Sequence, residues 1–287
     1  MRDEQCVRFL QWALPQLHMR WPGFRKVRKQ VCKRIDRRVR ELGLARVEDY
    51  RSWLDEHADE WARLDAICRI TISRFYRDRA VFDTLAEHVL PELVDALRQR
   101  GDRVLRIWSA GCGSGEEPYT LALLWHSELR PRFPGIQIEI VATDADSNVL
   151  RRARAGRYSF GSLKELPERW RNRAFTRDDG MYRLGTEYRR GVCFIEQDIR
   201  EEQPEGRFDL VLCRNLVFTY FDTGQQRKLV KAVGAAMHDG AALVLGVHEE
   251  LPDTARGFAA WFEKQAIYRK VSAGPADPTL PAPLRAL

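Results

Sequence analysis

No stretch of this 287-residue chain approaches the roughly 18 consecutive apolar residues that a membrane span requires. The opening Met-Arg-Asp-Glu-Gln also lacks the apolar run of a secretory leader, so a cytoplasmic protein without membrane insertion is expected. Cysteine is sparse: the six residues Cys6, Cys32, Cys68, Cys112, Cys193 and Cys213 include no Cys-x-x-Cys pair. That spacing argues against a zinc site and a disulfide framework, so no metal is expected and all six read as buried reduced thiols. Cys112 has no histidine close in sequence and does not read as a nucleophile. No segment matches a nucleic-acid module, and nucleic acid is not the expected partner.

What is present is an ordinary core and a surplus of positive charge. Hydrophobic residues make up 44% of the chain, enough for one large or two modest domains. Forty-eight Lys and Arg outweigh 41 Asp and Glu, and a net charge of +7 attracts anionic partners. Much of it sits in one segment, 24–44, where Val27, Val31, Ile35, Val39 and Leu42 recur at helical spacing and Gly43 closes the helix. Its other faces carry Arg25, Lys26, Arg28, Lys29, Lys33, Arg34, Arg37, Arg38 and Arg40: either a solvated surface or a docking face for an anionic macromolecule.

The most informative segment is Ile107 to Tyr119. Leu105, Ile107 and Trp108 read as a strand, and Gly111, Gly113 and Gly115 remove three β-carbons from the turn that follows. Pro118 then suits a first helical turn. The order strand, glycine turn, helix opens a nucleotide-binding α/β unit. The pair Glu116 and Glu117 would repel a pyrophosphate at that helix terminus and favours a cationic ligand without phosphate, as S-adenosylmethionine is. A second apolar run, 136–143, ends in Asp144, where a ribose diol is commonly held.

Elsewhere the pattern predicts helices over most of residues 1–90, including one from Tyr50 to Leu64 and one from Val81 to Arg98. Between these two lies Arg69-Ile-Thr-Ile-Ser-Arg-Phe-Tyr-Arg-Asp78, a polar and aromatic connection expected to wall the site. Strands are predicted at 103–108, 136–143, 192–195, 208–213, 241–247 and around Tyr268, and helices at 149–155 and 225–237. Around Gly180, Ala174-Phe-Thr and Met181-Tyr-Arg-Leu suggest a small antiparallel insertion. The proline- and alanine-rich tail, 272–287, reads as disordered.

From about Phe24 to about Pro252 the chain resembles the CheR family of chemotaxis receptor methyltransferases. The family's Thr-x-x-x-Thr-x-Phe-Phe-Arg-Asp element is similar to 69–78, with Arg69 and Ser73 replacing its two threonines. Its Trp-Ser-Ala-Gly-Cys-x-x-Gly-Glu-Glu-Pro-Tyr-Ser turn is similar to Trp108 to Thr120, with Gly113-Ser114 in place of Ser-Thr. Its Ala-Thr-Asp-x-Asp element is similar to Ala142 to Asp146, and its Cys-Arg-Asn-x-x-x-Tyr-Phe-Asp element to Cys213 to Asp222, with one extra residue. Its Gly-His-Ser-Glu-Ser-Leu element is Gly246-Val-His-Glu-Glu-Leu251 here, which adds a histidine and an acid near the cleft.

The resemblance implies an α/β fold: an N-terminal all-helical domain with its linker over 1–90, then a Rossmann-like class I methyltransferase domain over 91–271. That second domain would hold a central, mostly parallel seven-stranded sheet and a small antiparallel β insertion at 157–193. It implies S-adenosylmethionine as methyl donor, S-adenosylhomocysteine as product and glutamate side chains of a chemoreceptor-like protein as acceptor. Thr71, Ser73 and Arg77 would contact the cofactor from the linker, together with Gly111 and Gly113. Glu117 would hold its amino group or nearby hydroxyls, Asp144 the ribose, and Asp198 with Ile199 the adenine. Arg214, Asn215 and Tyr220 would line the methyl-transfer region, with Arg77 and Tyr220 as the catalytic pair. A monomer that meets an acidic helical region of the receptor on segment 24–44 is expected. The alternatives are a methyltransferase of this fold acting on nucleic acid or a small molecule, and a regulator that binds the cofactor without turnover.

Overall fold

In the computed structural model, residues 2–272 are described; of the tail expected to be disordered, 273–287 lie outside the described residues. The chain begins with helices Asp3–Gln16, Trp21–Phe24, Arg28–Glu41, Val47–Glu56 and Glu60–Cys68. Among the described residues no helix is long and apolar enough to cross a membrane.

Two predicted helices are shorter than their patterns. The basic helix starts at Arg28, because Phe24 ends a separate turn, Trp21-Pro-Gly-Phe24, held against a distant loop. The helix expected from Tyr50 to Leu64 is two, broken at His57, whose ring stacks on Trp53 at 3.8 Å while its Nδ1 lies 2.9 Å from the Trp53 carbonyl. The Trp61 indole donates to the Leu54 carbonyl across the same break, so side chains replace the missing backbone partners.

Two of the six cysteines are not reduced thiols. Cys6, on the buried stripe of the first helix, and Cys32, on the basic helix, come within 5.8 Å Cα to Cα and form a disulfide. Their sequence separation of 26 matches no local motif; only the packing of the two helices brings them together. Cys193 is exposed, a further correction, whereas Cys68, Cys112 and Cys213 are buried as expected. Closing a loop of 26 residues contributes about 3.5 kcal/mol by chain entropy. Thermal unfolding followed by circular dichroism with and without a thiol reductant should therefore show a drop of several degrees in Tm on reduction, absent from a Cys6→Ser/Cys32→Ser variant.

Among the described residues ten strands follow the linker: β1 Val104–Ala110, β2 Gln137–Asp144, β3 Arg157–Tyr158, β4 Phe175–Asp178, β5 Met181–Leu184, β6 Val192–Glu196, β7 Phe208–Cys213, β8 Met237–Leu245, β9 Phe258–Phe262 and β10 Ile267–Lys270. Seven form one sheet in the order β6-β2-β1-β7-β8-β10-β9. The first five of these run parallel and β10 runs antiparallel to both its neighbours, which makes the expected mostly parallel seven-stranded sheet. The insertion is the small antiparallel sheet β3-β5-β4, whose hairpin turns at Asp179 and Gly180, both with left-handed φ. Strand β9, at the sheet edge, was not predicted; Phe-Ala-Ala-Trp-Phe has no alternation of polar and apolar residues to betray it. Strand β8 begins four residues before the predicted start, because the register with β7 slips: Phe208 faces Met237 while Leu210 faces Ala242. Gly240, at φ +80°, lies within that slip.

The N-terminal helices share their core with one face of the sheet. Leu10, Leu14, Val31 and Ile35 belong to the same buried cluster as Val211, Leu229 and Leu243. The other face is covered by the helix beginning at Arg79, the helix from Glu116 and the insertion.

Candidate active site

The site follows from sheet order. Strands β2 and β6 lie on one side of β1, and β7 and β8 on the other, so the loops after β1 and β7 diverge and leave a crevice at the carboxyl ends. A cavity of about 810 Å³ opens there, and every residue expected at the site lines it: Thr71, Ser73, Arg77, Gly111, Gly113, Glu117, Asp144, Asp198, Ile199, Arg214, Asn215 and Tyr220.

The turn after β1 needs its glycines. Gly111 and Gly113 have φ of +71° and +56°, and a β-carbon on them would lie 2.6 Å from Leu216 Cδ2 and 2.8 Å from Thr71 Cγ2. The turn is fastened to the end of β2: Gly111 and Cys112 donate to the Thr143 carbonyl, and Gly113 donates to Asp144 Oδ2 at 2.9 Å. Asp144 Oδ1 accepts from the Asp146 amide at 3.0 Å. Burial holds the Asp144 carboxyl above its ordinary range in spite of these amides. Burial likewise pushes the Cys112 thiol well up, as suits a small filler and not a nucleophile.

The acidic pair after the turn does not act as a pair. Successive helical residues point about 100° apart, so Glu117 faces the cavity while Glu116 turns into the protein. Glu116 is buried, its Oε2 has no partner, and burial raises its carboxyl. The negative charge at Glu117 is also shared: Oε1 accepts from Ser109 Oγ at 2.7 Å and Oε2 from Arg214 at 3.2 Å. The expectation that two carboxylates attract a cationic ligand is thus corrected to one carboxylate, itself paired.

Arg214 is the hub of the acceptor side. It is 7% exposed, donates to Asp78 Oδ2 at 2.6 Å and to the Arg77 carbonyl at 3.1 Å, and lies over the Phe82 ring. Its Nε is buried without a partner. Arg77 donates to the Ile72 carbonyl at 2.7 Å and reaches Asn215 Oδ1 at only 3.5 Å. Tyr76, Asp78 and Asn215 all hold positive φ, near +60°, a cluster of costly backbone conformations about these two arginines. Glu249, a residue not assigned from sequence, holds the loop after β7, accepting from the Asn215 amide at 2.7 Å, the Gly246 amide at 2.8 Å and Thr219 Oγ1 at 2.5 Å. The acid-rich segment 246–251 was its only sequence signal. Burial pushes the Tyr220 hydroxyl up, so it stays neutral, and its ring packs 5.0 Å from that of Phe24. His248 lines the same cavity.

At the opposite end, Asp198 is committed to Arg200, whose Nε and Nη2 lie 3.0 and 2.7 Å from its oxygens. Burial alone would raise the Asp198 carboxyl, but Arg200 outweighs it and holds the group below its ordinary range. Arg200 also grips Asp65 at 2.6 and 2.8 Å, and Arg69 joins the cluster from the linker. Gln197, beside them, has a buried Oε1 with no partner and lines the cavity. Arg69, Arg200 and Gln197 were not singled out as site residues from the sequence, because each becomes meaningful only when β6 and the linker meet.

Residues 71–267, well over half the chain, match the family model described as CheR methyltransferase, SAM binding domain. The chain belongs to the CheR methyltransferase family. It is 35% identical over 208 residues to chemotaxis protein methyltransferase 2 of Vibrio cholerae, covering 71% of this chain and 70% of that one. It is 31% identical over 249 residues to the chemotaxis protein methyltransferase of Salmonella typhimurium, covering 84% and 82%. The Listeria monocytogenes protein of the same description is 33% identical over 186 residues, covering 65% and 68%.

As a CheR methyltransferase the chain uses S-adenosylmethionine, and the residues present fit it. The glycine cradle admits close approach of a ligand to backbone, Asp144 offers a half-buried carboxylate for vicinal hydroxyls, and the orphan Gln197 oxygen suits a neutral amino donor such as that of adenine.

Proposed function

We propose that this CheR methyltransferase methylates glutamate side chains of a chemoreceptor-type protein, as a cytoplasmic monomer. The observation that carries the reading is Arg77: a guanidinium at the cavity wall whose one firm bond is to the Ile72 carbonyl, leaving most of its fork for a carboxylate. Bound in the cavity, the cofactor supplies an electrophilic methyl group. Thr71, Ser73, Gly111, Gly113, Glu117, Asp144, Asp198 and Ile199 would hold it, with Gln197 adding an adenine contact beside Asp198.

The chain's own residues then act by orientation. A glutamate acceptor is already ionised near neutral pH and needs no general base, which agrees with a Tyr220 hydroxyl held neutral at the wall. Arg214, fixed by Asp78 and Glu117, sets the Arg77 backbone, and Leu216, Phe82 and Phe218 exclude water.

For the partner, the structure narrows the basic surface. Arg34 turns to the Ile67 and Arg69 carbonyls and Arg38 to Glu60, whereas Lys26, Lys29, Lys33, Arg37 and Arg40 are exposed along one stripe. An acidic helical region of a receptor fits that stripe.

Incubating the protein with methyl-labelled cofactor and a lysate of its own cells tests the reading. A base-labile label on a membrane-protein band is expected. Label on RNA, or cofactor binding without transfer, would overturn it.

A further inference from the structure

The segment His18 to Phe24 meets the loop that carries Tyr220 through several backbone and side-chain hydrogen bonds. The loop contains a single helical turn, Val217–Tyr220, and such a turn leaves its last carbonyls without partners of its own. Arg20 takes them: its guanidinium donates to the carbonyls of Phe218 and Thr219, and its backbone amide donates to the Tyr220 carbonyl at 2.8 Å. Met19 pairs with Phe221 as an antiparallel bridge, and the Asp222 amide donates to the His18 carbonyl at 2.8 Å. The fit is close enough that a β-carbon on Gly23 would lie 2.2 Å from the Thr219 carbonyl oxygen. Phe24 packs on the Tyr220 ring. Glu249 fastens the other side of the same loop, at the Asn215 amide and the Thr219 hydroxyl.

We infer that His18–Phe24 is a positioning strap for methyl transfer, in which Arg20 and Gly23 set the Tyr220 wall against which the acceptor is presented. The inference rests on the reading of Tyr220 as part of the acceptor side. The strap itself bonds neither Asp144, nor the glycine turn, nor Gln197. Its loss should therefore separate turnover from cofactor binding, which a general loss of packing would not do.

The test uses the full chain as wild type, Arg20→Ala, Arg20→Lys and Gly23→Ala. S-Adenosylhomocysteine affinity is measured by calorimetry, methyl transfer with labelled cofactor on washed membranes of its own cells, and amide hydrogen exchange over the whole chain. The strap predicts that Arg20→Ala and Gly23→Ala lose about tenfold or more in kcat, since small misplacements of a reacting group are that costly. S-Adenosylhomocysteine affinity should stay within about twofold of wild type, and Arg20→Lys, which keeps a single donor nitrogen in place of the fork, should recover part of the loss. Exchange should accelerate over 217–222 and remain unchanged over 111–115. Wild-type kcat in all variants, unchanged exchange at 217–222, or a parallel loss of S-adenosylhomocysteine affinity overturns the strap. A wild-type protein that esterifies nothing in these membranes counts against the glutamyl reading alone, and the exchange pattern then decides the strap.

Discussion

Arg77→Ala is expected to lower methyl transfer by about 100-fold, the scale on which removal of one preorganised charge-stabilising group acts. The fold should survive, because the side chain is only partly buried and loses one firm hydrogen bond, to the Ile72 carbonyl. Its other contacts, 3.5 Å to Asn215 and 3.9 Å to Asp78, are long. S-Adenosylhomocysteine affinity should fall less than kcat, since the linker around Thr71 and Ser73 remains tied through the Phe75 amide to Ser162 and the Tyr76 amide to Thr120. Arg77→Lys should recover little, because an ammonium cannot form two parallel bonds to a carboxylate. Single-turnover transfer from labelled cofactor, with calorimetric titration of S-adenosylhomocysteine, checks both statements. Wild-type turnover in Arg77→Ala would remove this residue from the site.

The second large effect is on cofactor affinity. Asp144→Ala should weaken S-adenosylhomocysteine binding by about 100-fold or more, because hydrogen bonds to a charged group contribute about 1.5–3 kcal/mol each and two hydroxyls would lose theirs. The same change leaves the Gly113 and Asp146 amides without acceptors and so loosens the glycine turn itself. Asp144→Asn should fall between, since one amide oxygen can still accept from one of these donors. Titration calorimetry gives the affinities, and an Asp144→Ala protein that binds as tightly as wild type would place the ribose elsewhere.

The glycine turn was legible because its constraint is local: a strand, three residues free to take left-handed φ, and a helix start occupy consecutive positions. Asp144 was legible for the same reason, as the end of the next strand. Glu116 misled, because adjacent carboxylates look alike in a sequence while helical geometry sends one to the cavity and the other into the core. The pairing of Asp198 was hidden for a different reason. Its partner Arg200 is close in sequence, yet Arg200 is held in place by Asp65, 135 residues away, and that contact needs the folded linker.

By itself the sequence determined most of the order of elements, the sheet-forming runs other than β9, the insertion and the family, since each depends on short-range patterning. Only the tertiary structure decided which charges are spent inside the protein and which are offered outward. Arg34 and Arg38 lie on the same helix as Lys29 and Lys33, but packing against 60–69 turns the first two inward. It also decided that Cys6 meets Cys32, and that a turn near the N-terminus holds a loop some 200 residues later. These are contacts between surfaces, set by how helices and sheet close over a shared core, and no spacing along the chain encodes them.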